Sequence, residues 1–375
     1  MQKSLFFTIT VLFWFSLYVY VPELSTYAQQ LGASFTMIGI IVGSYGFTQM
    51  VLRIPLGIAS DRFGQRKVFI QLGVLILGIS AWTTFAAPSP MALFLTRMSA
   101  GIAASTWVVF TIYFSGFFTT GETIKSVGII NSYNALGQLL AMVLGGITSY
   151  YFGVKYLYLL AAISGVLAFL LAAFLPKEVV KRTTTRSLNL KKVLKNHQLL
   201  LASSIAVLSQ LITFGTAFGF VPILAKNLGA ENFQLSLLTA LVIIPALLFA
   251  RLSTDLFSRR IGKKRTLQVG FLISALLCII MPWIRSLSVL YLAQFFAGVG
   301  RSMTMPLLMG LAIDEIDPEN RATAMGVFQA TYGIGMIIGP MLLGMIAEQY
   351  NLQWGFAVTG VFGLAAIVLA GKIKQ

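Results

Sequence analysis

Long apolar runs separated by short polar breaks recur along this chain, at about 5–28, 36–60, 67–87, 91–118, 125–150, 155–175, 198–224, 234–254, 266–285, 288–313, 321–348 and 353–371. About 20 apolar residues in a helix cross the hydrocarbon core of a bilayer, so the pattern predicts twelve spanning helices. The runs are long and lack period-two alternation, which excludes the strands of a membrane barrel and leaves helices as the way to satisfy the backbone in lipid. The first run follows Lys3 and continues to about Tyr20 without a small-residue cleavage motif, so it reads as a retained span and not as a leader. The fold class is thus an all-α membrane protein.

One long polar stretch, 176–197, carries seven basic residues and divides the chain into a half at 1–175 and a half at 198–375. The halves repeat each other. Leu31-Gly32-Ala33 matches Leu228-Gly229-Ala230, Gln71-Leu72-Gly73 matches Gln268-Val269-Gly270, and the stretch from Leu93 to Gly101 matches that from Leu290 to Gly298, all 197 positions apart. Gly128 and Gly137 pair with Gly326 and Gly335 at 198. A parallel repeat of two six-helix halves is the architecture of an alternating-access transporter with its ligand site between the halves.

Composition agrees with the pattern: 57% of the 375 residues are hydrophobic, 10% are charged, and mean hydropathy is +0.86. The formal charge of +16 comes from 27 basic and 11 acidic residues. In a soluble chain it would suggest nucleic acid; here it marks topology. With the N-terminus inside, one side of the membrane holds Lys3, Arg62, Arg66, Lys67, Lys125, the linker cations, Arg259, Arg260, Lys263, Lys264, Arg265, Arg321, Lys372 and Lys374, and the other only Lys155, Lys226 and Arg285. Basic residues stay on the cytoplasmic side, so both termini are expected there, in the cell membrane. A single cysteine, Cys278, and a single histidine, His197, exclude a disulfide framework and most metal and general-base chemistry. No Gly-x-x-x-x-Gly-Lys-Ser/Thr loop is present, which leaves an ion gradient rather than ATP as the energy source.

Between the second and third runs stands Gly57-Ile58-Ala59-Ser60-Asp61-Arg62-Phe63-Gly64-Gln65-Arg66-Lys67. This loop resembles the signature loop of the major facilitator superfamily: glycine, three residues, aspartate, arginine, one residue, glycine, then a basic cluster. The second half keeps Asp255, Gly262 and the basic cluster but carries Arg251 in place of the first glycine and about three extra residues. The resemblance implies a gating latch formed by Gly57, Asp61, Arg62, Gly64, Arg66 and Lys67, with Asp255 as its weaker counterpart. Arg97 followed by Gly101 resembles the family's intramembrane-arginine motif. Gly128, Gly137 and Gly145-Gly146 resemble the antiporter motif of the drug-efflux branch, with Ala141-Met142 where the Gly-Pro pair belongs. The second half has the fuller version in Gly326, Gly335 and Gly339-Pro340.

The intramembrane charges are few. Glu23 follows Pro22 in the first run, at a depth similar to Arg97, and Ser16, Tyr20, Glu23 and Tyr27 share one helical face. A Glu23–Arg97 pair is expected, either as a proton-coupling site or as a fixed ion pair between helices. Arg301, near midplane in the tenth run, shares a face with Gln294, Gly298 and Met305, and is a candidate substrate contact or a partner of Gln210 or Thr213. Arg53 lies one turn beyond Gln49 and is expected to serve the interface between the halves, with contact to a substrate anion as the alternative. Asn131, Asn134 and Gln138 form an amide stripe. The expected substrate cavity is therefore lined by Tyr20, Asn131, Asn134, Gln138, Gln294 and Arg301. Asp314, Glu315, Asp317 and Glu319 read as solvated loop charges.

The resemblance implies a secondary active transporter, with proton-coupled export of a small organic compound as its first activity. Proton-coupled uptake or exchange of a small organic anion is the alternative, motivated by arginines outnumbering Glu23 in the spans. An intramembrane enzyme would need a His or Ser/His constellation that the spans lack. The chain is expected to act as a monomer in the lipid bilayer, with protons and a small molecule as ligands, without a cofactor or nucleic acid.

Overall fold

The computed structural model describes residues 2–118, 123–176, 193–252, 258–317 and 320–373. Its helices are α1 (Gln2–Gln30), α2 (Phe35–Phe63), α3 (Arg66–Ala86), α4 (Pro90–Ser115), α5 (Thr123–Phe152) and α6 (Lys155–Ala173) in the first half. The second half holds α7 (His197–Asn227), α8 (Asn232–Leu252), α9 (Lys263–Trp283), α10 (Leu287–Asp314), α11 (Arg321–Gln349) and α12 (Leu352–Ala370). Eleven of these carry a full membrane-length apolar stretch; in α8 the apolar stretch is the shorter Asn232–Pro245. No strand occurs among the described residues. Residues 177–192 of the expected linker lie outside them.

The repeat extends to backbone detail. α1 breaks at a 3-10 turn, Val21–Glu23, where Pro22 supplies no amide, and resumes as Leu24–Gln30; α7 breaks at a π turn, Thr216–Phe220, and resumes as Val221–Asn227. The two resumed turns are 197 positions apart. Each ends in a glycine with left-handed backbone, Gly32 at φ +87° and Gly229 at φ +86°. In each the following amide reaches back five residues, Ala33 to the Ala28 carbonyl at 2.9 Å and Ala230 to the Ala225 carbonyl at 3.0 Å. This closure satisfies otherwise orphaned helix carbonyls and requires a residue free of a Cβ penalty.

Packing follows the same symmetry. α1 lies on α5, α2 on α4 and α3 on α6; their counterparts are α7 on α11, α8 on α10 and α9 on α12. Two seams join the halves, α2 along α11 and α5 along α8. An even number of spans puts both termini on one face, here called the terminal face. At the far face the seams are shut: the backbone of α2 at Gly39, Gly43 and Gly46 meets Pro340, Ile337 and Met336 of α11, and Gly146 of α5 meets Phe233 and Ser236 of α8. Toward the terminal face, Gly57, Gly128, Gly310 and Gly326 have open space where a side chain would project. Among the described residues the halves touch at the far end, and these four glycines of the terminal end meet nothing within 4 Å.

Outward-facing Val143, Leu144, Ile147, Leu276, Ile280, Val361 and Val368 are exposed and need lipid to cover them. Exposed aromatic residues gather at the far face, Trp82, Tyr150, Tyr151 and Tyr156 on the first half and Trp283, Tyr350 and Trp354 on the second. Amphipathic rings favour the level of the lipid headgroups.

Candidate functional site

Arg97 sits two turns into α4 and is 3% exposed. Its guanidinium carbon lies 4.5 Å from the centre of the Tyr45 ring of α2, and its Nε has no hydrogen-bond partner. Across the seam, the guanidinium of Arg301 on α10 lies 5.7 Å from the Phe218 ring, which the π turn of α7 presents. Neither arginine makes an ion pair among the described residues. Tyr18 of α1 lies close enough to feel both charges, and Tyr332 of α11 lies near Arg301.

Aromatic contacts join the two sides. Tyr18 meets Phe218 at 6.3 Å between ring centres, Tyr45 stacks on Phe214 at 6.1 Å, and Phe214 meets Phe218 at 5.2 Å. A small cavity runs between Leu17, Tyr18, Val21, Tyr45, Arg97 and the two phenylalanines. A second, larger one lies within the second half, where Arg301 faces Ser209, Thr213 and Thr216 of α7 and Ser274 and Cys278 of α9. The arrangement presents positive charge and ring faces at the meeting of the halves, with no carboxylate beside either guanidinium among the described residues.

The expected Glu23–Arg97 pair does not form. Glu23 is fully buried at the break of α1, and Ser149 Oγ of α5 donates to its Oε1 at 2.5 Å while Oε2 has no partner. The cation that acts on it is Lys226 of α7. Lys226 Nζ in turn donates to Asn232 Oδ1 at 2.9 Å, and Asn232 Nδ2 donates to the Ser149 carbonyl at 3.3 Å, so a polar chain crosses the far-face seam. Similar depth from one end of the membrane does not place two residues side by side: the break at Val21–Glu23 directs the carboxylate toward α5, and Arg97 faces α2.

The polar stripe of α1 is real but faces inward to its own half. Ser16 donates to the Ala161 carbonyl at 2.8 Å, and Tyr20 and Tyr27 meet Tyr158 of α6 at 4.8 and 5.9 Å between ring centres. Tyr20 therefore does not line the cavity; Tyr18, two residues earlier, does. Gln294 is buried and does not line either cavity; it donates to Met281 Sδ of α9 at 3.1 Å, and Met281 is a lining residue of the second. Gln138 donates to Asn134 Oδ1 at 2.5 Å within α5, and Asn131 is exposed; none of the three lines either cavity. Of the six expected lining residues, Arg301 is the one the cavity contains. Arg53 is buried, with Nε unpartnered, and its charge reaches Tyr45, which accepts a hydrogen bond from Gln49 at 3.2 Å. Tyr45, Gln49 and Arg53 recur every four residues and form one stripe of α2.

In the signature loop, Gly64 ends α2 at φ +62° with its amide on the Ser60 carbonyl at 3.1 Å. Lys67 Nζ donates to the carbonyls of Ala173 and Leu175 at 2.6 and 2.7 Å, closing the end of α6, and Arg62 is exposed. Arg66 opens α3. The side chain of Asp61 and the whole of Asp255 lie outside the described residues. The ion pair between Lys263 and Asp314, at 2.8 Å, is exposed, as expected for loop charges.

Most glycines of the antiporter-like motifs serve packing, while Gly128 and Gly326 meet nothing within 4 Å. Gly335 and Gly339 abut the Val207 and Leu211 carbonyls of α7, and Gly137 and Gly145 abut the Val11 and Val19 carbonyls of α1.

The model of the major facilitator superfamily matches residues 6–215 and again 203–373. The chain belongs to the major facilitator superfamily. It is 25% identical over 358 residues to an MFS-type transporter of Methanocaldococcus jannaschii, covering 93% of this chain and 92% of that protein. It is 25% identical over 376 residues to the inner membrane transport protein YajR of Escherichia coli, covering 96% of this chain and 80% of that one. In fold it is similar to the nucleoside transporter NupG, with a TM-score of 0.86 at 17% identity over the whole of both chains. This member of the superfamily is thus a multi-pass secondary transporter, and its expected architecture stands.

Proposed function

We propose that this transporter carries a small organic anion between the halves by alternating access, with Glu23 as the proton-bearing group and both termini in the cytoplasm. The observation that carries this reading is the charge balance where the halves meet. Arg97 lines the first cavity and Arg301 the second, one from each half, and neither has an anionic partner among the described residues. Removing a guanidinium from water costs several kcal/mol. Contacts with Tyr45 and Phe218 offset only part of that, about 1–2 kcal/mol each. An incoming carboxylate or phosphate supplies the missing counter-charge, and a guanidinium binds either in bidentate fashion.

Proton-coupled export of a small organic compound, the first activity implied by the resemblance, rests on motif glycines most of which packing accounts for, so the direction of transport is left to measurement. The excess of basic residues on the terminal face supports cytoplasmic termini. The signature loop, with Asp61 at its centre, is proposed as the latch of the terminal face.

The test uses purified protein in proteoliposomes with an imposed pH gradient, comparing labelled small acids with neutral and cationic compounds of similar size. Acids should be transported, with the sign of the pH gradient giving the direction. Arg97→Gln and Arg301→Gln should each reduce that transport about tenfold or more, since a hydrogen bond to a charged group is worth about 1.5–3 kcal/mol. Selective transport of cations, or acid transport at the wild-type rate by both variants, overturns the anion reading.

A further inference from the structure

The second cavity has a chemical bias that the arginine alone does not explain. Four hydroxyls face it, and three have already committed their protons to their own helices. Thr213 donates to the Ser209 carbonyl at 2.9 Å, Thr216 to the Ile212 carbonyl at 2.7 Å, and Ser274 to the Gly270 carbonyl at 2.9 Å. The Cys278 thiol is committed likewise, to the Phe356 carbonyl at 3.3 Å. A hydroxyl has one proton and two lone pairs, so Thr213, Thr216 and Ser274 offer the cavity acceptors only. The fourth, Ser209, is 5% exposed and its hydroxyl makes no hydrogen bond among the described residues. Arg301, on the opposite wall, has donors only. A ligand filling this space therefore presents an anionic or accepting group to Arg301 and hydrogen-bond donors to α7 and α9. An ammonium group would supply donors but would sit beside Arg301 with no carboxylate to balance it. Neutral hydroxyls meet both conditions.

We infer that the cavity between α7, α9 and α10 is a hydroxyl-recognising subsite, and that the substrate is a hydroxylated acid whose anionic end meets Arg301 and whose hydroxyls donate to Ser209, Thr213, Thr216 and Ser274. This inference rests on the anion reading above and adds the class of acid. A simple alkyl acid would leave those oxygens without donors from the ligand, which costs binding as surely as a missing contact.

The experiment measures binding to the full chain in detergent by titration calorimetry, with two pairs of probes of equal chain length: glycerate against propionate and gluconate against hexanoate. In at least one pair the hydroxylated acid should bind about tenfold or more tightly. The double variant Thr213→Val with Ser274→Ala should erase that ratio, weakening the hydroxylated acid and leaving the alkyl acid bound at least as tightly as before, because it removes acceptors that an alkyl acid leaves unpaired and does not touch Arg301. Ser209→Ala gives the same test in a variant that loses no helix hydrogen bond, and should reduce the ratio on its own even where the double variant fails to fold. Alkyl acids that bind as tightly as their hydroxylated partners in both pairs overturn the subsite, as does a ratio that survives in the folded double variant or, where that variant does not fold, in Ser209→Ala. Arg301→Gln separates the two claims: unchanged affinity for every acid in this variant overturns the anion reading, while a ratio lost in the hydroxyl variants still supports the subsite. No binding by any of the four acids overturns both.

Discussion

Glu23 holds one carboxylate oxygen on Ser149 and leaves the other buried without a partner, at the far-face seam. The groups that face it are Ser149 of α5, Lys226 of α7 and Tyr158 of α6. Since its charge is compensated only through Lys226, gain or loss of a proton there changes the polar chain that joins α1 and α5 to α7 and α8. Glu23→Gln should abolish proton-driven accumulation and preserve downhill exchange, because the amide imitates the protonated acid. Substrate-induced proton release from solubilised protein, followed from pH 6 to 9, checks this; release with the wild-type pH dependence in the variant reassigns coupling to another group. At this scale the sequence is informative about cost and silent about neighbours. Charged residues inside apolar runs are conspicuous because they are expensive, which is why Glu23, Arg97 and Arg301 stand out. Their partners, Ser149, Tyr45 and Phe218, are ordinary membrane-helix residues, and only the rotation and breaks of the helices bring them together.

Helix number and length follow from apolar run length, and the break of α1 follows from Pro22. The π turn of α7 has no such marker: it begins six residues before Pro222, where α7 lies against Gly339 of α11, and no local propensity announces it. Small residues in α11 differ in what they do along one helix. A methyl group at Gly335 would collide with the Val207 carbonyl of α7, while one at Gly326 meets nothing within 4 Å. Gly335→Ala should therefore destabilise the protein by about 1–3 kcal/mol through overpacking. Gly326→Ala, which gains helix propensity of up to about 1 kcal/mol, should be neutral or stabilising. Thermal unfolding of both variants in one detergent makes the comparison, and equal melting temperatures would remove the packing role from Gly335.

At the scale of the whole molecule, the far-face seams are closed, while Gly57 and Gly326 at the terminal face meet nothing among the described residues. The repeat was legible in the sequence at a fixed spacing, but the state was not, since small residues line both ends of α2 and α11 and one sequence must encode both closures. Gly57 and Gly326, idle here, lie where the halves would meet when the terminal face shuts. Filling that seam with Gly57→Leu and Gly326→Leu should leave the melting temperature close to that of the wild type and acid binding intact, yet stop turnover; wild-type flux would show that the terminal face closes elsewhere. The lone cysteine, Cys278, is buried, so thiol probes placed at either glycine would report opening against little background. The unbalanced arginines impose a kinetic asymmetry on this cycle. Closing around bound acid encloses the two guanidiniums with a counter-charge between them, whereas closing without it encloses two uncompensated cations. An added cost of about 3 kcal/mol on the empty passage slows it about a hundredfold. Preloaded vesicles diluted into acid-free buffer should then leak slowly and discharge rapidly once unlabelled acid is added outside. Equal rates in the two buffers would count against this. The cavity that selects the cargo also makes the carrier behave as a revolving door, which turns readily only when each compartment is occupied.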